Sequence, residues 1–101
     1  MENSKVYVIA CAEALPGKAN KVQEILEGFI GPTHAQDKGC IRYELWVSAG
    51  NEAQFSFVEE WESMQDLDEH LQKSHIQNGF KQLDGLLVSE PDVKLCRKLG
   101  G

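Results

Sequence analysis

At 101 residues, 42% of them hydrophobic and 26% charged, the chain has the size and composition of one globular domain with a limited core, not of a disordered segment. A net charge of −6 argues against a nucleic-acid or anionic-membrane surface, both of which need clustered Lys and Arg. No apolar run approaches the ~20 residues of a membrane helix, so no membrane partner is expected.

The first predicted strand, Val6 to Ala14, is apolar on both faces, with Val6, Val8, Ala10 and Ala12 opposite Tyr7, Ile9 and Cys11. Pro16-Gly17 breaks it. From Lys18 to about Ala35, Val22, Ile25, Leu26, Phe29 and Ile30 recur at the spacing of one face of an amphipathic helix. Cys40 to Val47 reads as a second strand, with Ile41, Tyr43, Leu45 and Val47 on one face. Ala49-Gly50-Asn51-Glu52 is a hairpin-like turn into a third strand, Phe55 to Trp61. Ser63 is placed as the N-cap of the next helix, with Asp66 three residues on and Met64, Leu67 and Leu71 as its apolar stripe. Ser74 interrupts, and a further helical stretch carries Ile76, Phe80, Leu83 and Leu87 until Gly85 loosens it. A last strand, Val93 to Lys98, follows Pro91; Lys94, Arg97 and Lys98 near it form a solvated basic end.

The order β-α-β-β-α-β is the ferredoxin-like pattern, α+β with a four-stranded antiparallel sheet covered by helices on one face. Strand 1 is apolar on both sides, and Trp46, Phe55 and Phe57 add to strands 2 and 3. An open sheet face that apolar predicts a homodimer packed sheet to sheet. The cysteines, Cys11, Cys40 and Cys96, are odd in number and widely spaced without C-x-x-C, which argues against a disulfide framework or a zinc site. Reduced thiols, and the lack of a signal-peptide layout in Met1 to Lys5, point to the cytoplasm.

The stretch from Glu59 to His75 joins a strand ending on an aromatic to an acidic-faced helix with two imidazoles at its far end. His70 lies at the edge of the apolar stripe and is a candidate general base, since imidazole titrates near neutrality. His75, five residues later, would stand about 140° away on a continuous helix, so the pair is not expected to chelate one metal. Trp61 is a candidate for stacking on an aromatic substrate and donating its indole N–H to a substrate oxygen. Tyr43 needs a hydroxyl partner if buried, which a cavity would supply. Glu60 is costly in a covered sheet unless it is paired, at a dimer salt bridge or in the pocket with a raised pKa.

Three blocks in order resemble the antibiotic biosynthesis monooxygenase family: Leu15-Pro16-Gly17-Lys18, Gly39-Cys40-Ile41-Arg42-Tyr43-Glu44-Leu45, and Phe57 through Trp61 with His70-Leu71 and Ser74-His75. The resemblance spans nearly the whole chain. It implies a dimeric α+β barrel and chemistry without flavin, haem or metal, in which a quinol or polycyclic phenol is deprotonated and its anion reduces O2. On that expectation His70, Trp61 and His75 are the catalytic candidates, and Tyr43, Glu60 and Phe57 contact substrate. Relatives of the same fold imply other outcomes: an isomerase of a phosphorylated signalling sugar, a haem-degrading enzyme, or a dimer that only binds small molecules. The first needs basic groups, of which Arg42 alone stands on the first three strands. The second uses an Asn on strand 1 and a His on the last helix, whereas Val6 to Ala14 holds no Asn and Ile76 to Leu87 holds no His.

Overall fold

The computed structural model of the chain describes residues 5–101, so the reading of Met1 to Ser4 lies outside the described residues. The elements run β1 (Val6–Glu13), α1 (Ala19–Glu27), α2 (Ile30–Gln36), β2 (Cys40–Ser48), β3 (Asn51–Trp61), α3 (Met64–Gln72), α4 (Ser74–Leu83) and β4 (Asp92–Cys96). The strands form one antiparallel sheet in the order β2-β3-β1-β4, which gives the expected α+β, ferredoxin-like architecture.

Strand alternation fixes what the helices cover. Tyr43, Glu59, Val8 and Leu95 form one row across the four strands, and Leu45, Phe57, Ala10 and Val93 form the next. Both rows sit on the helix side, where Val8, Tyr43, Phe55 and Phe57 are buried with Val22, Leu26, Phe29, Leu67 and Ile76 from the helices. Phe55 and Phe57 therefore belong to the core, and not to the open sheet face on which the expectation of a homodimer counted them. The open face carries exposed Ile9 and Trp46 among charged residues such as Arg42 and Glu44.

The helix expected from Lys18 to Ala35 is two helices. Pro32 has no N–H to offer the carbonyl of Gly28, so the ladder is interrupted there and the chain resumes as α2 from Ile30. The second helical break lies at Lys73, whose ψ of 146° is extended and separates α3 from α4. Ser63 caps α3 as expected: its hydroxyl accepts from the Asp66 N–H at 3.1 Å. Glycine is required at Gly39, with φ +83°, because a side chain there would overlap the Asp66 carboxyl.

Candidate active site

Between the sheet and the helices lies a largely apolar cavity of about 310 Å³. Phe57, Phe55, Leu67 and Ile76 supply much of its wall, and its polar lining includes Tyr43, Glu59 and His70. Its mouth lies between α4 and β4, where Phe80, Leu83, Pro91 and Val93 are shared with an adjoining open groove. No Lys or Arg lines the cavity among the described residues.

His70 reaches the cavity from the last turn of α3 and is 2% exposed. Its Nδ1 lies 2.5 Å from Oδ2 of Asp37, which ends α2 and is equally enclosed. A carboxylate on Nδ1 fixes the proton on that nitrogen and leaves Nε2 as the ring's free basic atom. Burial lowers the His70 pKa, and its hydrogen bond to Asp37 opposes the shift without overturning it. The imidazole is thus neutral near pH 7 and able to accept a proton.

The same Asp37 oxygen lies 3.2 Å from Nε2 of His75, which also contacts the Thr33 hydroxyl at 3.2 Å. The 140° separation expected for the two histidines is not found, because the extended Lys73 resets the direction of α4. Asp37, His70 and His75 offer ligand atoms within 4.8 Å of one another, a set that includes two imidazoles and a carboxylate. The 2.5 and 3.2 Å separations are hydrogen-bond lengths, and 2.5 Å is closer than two adjacent ligands of a first-row metal stand. His75 does not line the cavity; it faces a surface cleft with Lys21 and Glu24 on the far side of the helices.

Trp61 is fully buried behind His70, its ring centroid 4.5 Å from the imidazole. Its indole N–H donates to Oε1 of Glu59 at 2.9 Å and so is already committed. Glu60, expected at a dimer salt bridge or in the pocket, points to the other sheet face and pairs with Lys5 of the same chain at 3.4 Å. The acid in the cavity is its neighbour Glu59, 6% exposed, whose pKa burial pushes up to about 7 against the pull of the Trp61 N–H. Tyr43 and Phe57 do line the cavity, with their rings stacked at 4.8 Å. Burial and then Glu59 push the Tyr43 phenol far above its usual range, so it stays protonated. The same two influences raise the Cys40 thiol to about 11, which removes it as a nucleophile near neutrality.

Sequence reading missed Asp37, Thr33 and Glu59. The Glu59 signal was available, since it stands two positions before Trp61 and strand residues two apart share a face. Asp37 sits 33 residues from its partner His70, a pairing no local pattern encodes.

A sequence model of the antibiotic biosynthesis monooxygenase family matches residues 5–82. The chain is 34% identical over 96 residues, 95% of this chain and 93% of the other, to a Mycobacterium tuberculosis protein named "Putative monooxygenase Rv0793". The solved structure of Rv0793 superimposes with a TM-score of 0.88 at 30% identity, covering 97% of this chain and 98% of that one. SO0527 from Shewanella oneidensis gives a TM-score of 0.88 at 30% identity, over 96% and 93% of the two chains. PA3566 from Pseudomonas aeruginosa, at 21% identity, shares the fold with a TM-score of 0.90 over 99% of each chain.

Proposed function

The chain belongs to the antibiotic biosynthesis monooxygenase family, and from that premise we propose that it is a cofactor-independent monooxygenase that oxidises a quinol or polycyclic phenol with O2. The observation that carries the reading is the His70 imidazole, held by a buried carboxylate and set in the wall of an apolar cavity. An apolar, planar substrate is favoured there, because every polar group left unpaired in such a site costs ~1–3 kcal/mol. His70 Nε2 takes the phenolic proton. A phenol resembles Tyr, with a pKa of about 10, so ionising it near pH 7 costs about 4 kcal/mol, which attraction between the phenolate and the imidazolium formed beside it offsets. The phenolate then passes an electron to O2 and the two radicals combine to a hydroperoxide.

His70 is the catalytic base in this proposal. Asp37 orients it, and His75 and Trp61 act through their contacts with Asp37 and with the His70 ring. Tyr43 and Phe57 hold the substrate ring. An anionic sugar substrate is disfavoured because no cation lines the cavity among the described residues.

Oxygen uptake with benzo- and naphthohydroquinones tests the reading. His70→Gln is expected to lower enzyme-dependent uptake by ~10²–10⁴-fold. No uptake by the wild-type protein, or uptake unchanged in this variant, removes the proposal.

The proposal includes a cytoplasmic homodimer formed through the open sheet face. Exposed Ile9 and Trp46 support the dimer, and three free thiols suit a reducing compartment. Sedimentation equilibrium should give twice the 11.3 kDa chain mass; a monomer across micromolar concentrations rejects the dimer.

A further inference from the structure

We propose that Glu59 is the general acid of the same reaction, giving its carboxyl proton to the leaving oxygen when the O–O bond of the substrate hydroperoxide breaks. This rests on the monooxygenase reading and supplies a group that reading leaves out. Breaking the O–O bond needs a base and an acid at once: one takes the proton from the carbon bearing the peroxide, and the other protonates the departing oxygen. His70 cannot be both in one step.

Glu59 lines the same cavity as His70, from the sheet row that also holds Tyr43 and Val8. Its position is built: Trp61 Nε1 holds Oε1 at 2.9 Å, and the Trp61 ring packs against the His70 imidazole. One indole therefore spaces the two proton-handling groups. The titratable groups around Glu59 are Tyr43 and Cys40 on β2, His70 on α3 and Asp37 behind it; the pair across on β1 is Val8, which is apolar. No described cation stands among them to hold Glu59 ionised.

The protons balance within the cavity. His70 takes the phenolic proton and returns it to the peroxide anion formed when O2 adds to the ring. In the elimination, His70 removes the ring C–H proton, the C–H electrons form the new C=O, the O–O bond breaks, and Glu59 protonates the departing oxygen as water. Protonated His70 then restores the Glu59 proton. For a quinol the sum is quinol plus O2 to hydroxyquinone plus water. Without an acid, the hydroperoxide instead expels peroxide, leaving the unhydroxylated quinone and hydrogen peroxide.

Glu59→Gln keeps an acceptor for the Trp61 N–H but has no acidic proton, and Glu59→Asp keeps the acid on a shorter arm. Expected for Glu59→Gln is a ~10²-fold loss of hydroxyquinone formation, with most of the remaining O2 recovered as hydrogen peroxide. Glu59→Asp should recover part of the hydroxyquinone. Wild-type turnover should fall as pH rises through about 7, and Glu59→Gln should lose that limb. Infrared spectra, which need no turnover and hold if the Gln variant fails to fold, should show a protonated carboxyl in the wild type that ionises near pH 7. Hydroxyquinone formation with undiminished coupling in Glu59→Gln, or no such carboxyl in the wild type, overturns the role of Glu59 and leaves the monooxygenase standing. Absence of wild-type O2 uptake overturns both.

Discussion

Glu59 and His70 share one cavity but respond to burial with opposite consequences for folding. The native state raises the Glu59 pKa from 4.5 to about 7, so between those values the folded protein holds a proton that the unfolded chain has released. Stability contributed by Glu59 is therefore full below about pH 4.5 and declines as pH rises toward 7, by an amount on the order of 3 kcal/mol. His70 works the other way. Its native pKa is lowered from 6.5, so the folded state resists the proton the unfolded chain accepts, and stability falls as pH drops through that window. Denaturant titrations across pH 4.5 to 8 should show Glu59→Gln gaining on the wild type as pH rises. Parallel curves for the two proteins would contradict a raised Glu59 pKa. At this scale the sequence disclosed residue types more readily than partners. Its patterning marked His70, Tyr43 and Phe57, but Glu60 was named as a substrate contact although alternation sets it away from Phe57 and Trp61, the face that Glu59 shares. Asp37 was invisible, since what makes it matter is enclosure by two imidazoles from elsewhere in the chain.

The same division appears among the elements. Apolar spacing located every strand and the two helical regions, and the Ser63 cap was legible from its side chain and the Asp66 that follows. Of the breaks within helices, the second was read one residue late, at Ser74, and the first was missed. Pro32 and Lys73 each alter one peptide unit, and periodicity averages over several turns. The Lys73 break nevertheless decides the site, because it turns His75 toward Asp37. A tight approach between elements gives a direct test of how α4 is held. Gly79 lies against the Phe29 ring, and a Cβ at Gly79 would overlap it. Phe29 is itself wedged among Phe57 and Phe80 and lines the cavity. Gly79→Ala should gain helix propensity but lose more to overpacking, a net destabilisation of about 1–3 kcal/mol by denaturant titration. A neutral result would mean that the Phe29 ring yields freely to α4.

For the whole molecule, element order was enough to give a four-stranded antiparallel sheet with helices on one face, because few topologies satisfy β-α-β-β-α-β with short connections. The division of apolar surface between the two sheet faces was less legible. Strands 2 and 3 place Phe55 and Phe57 under the helices and leave Ile9 and Trp46 outside, among charges. The cavity, too, is a property of the assembled layers: its polar wall draws on β2, β3 and α3, while its mouth draws on α4 and β4. The family match covers residues 5–82, whereas Pro91 and Val93, which finish the mouth, come later. The groups proposed to move protons thus lie within the matched stretch, whereas the mouth is completed in part beyond it. Substitutions in the final strand can retune which molecules are admitted while His70, Asp37 and Glu59 keep their mutual positions, so reactivity and selectivity can diverge independently within one small fold.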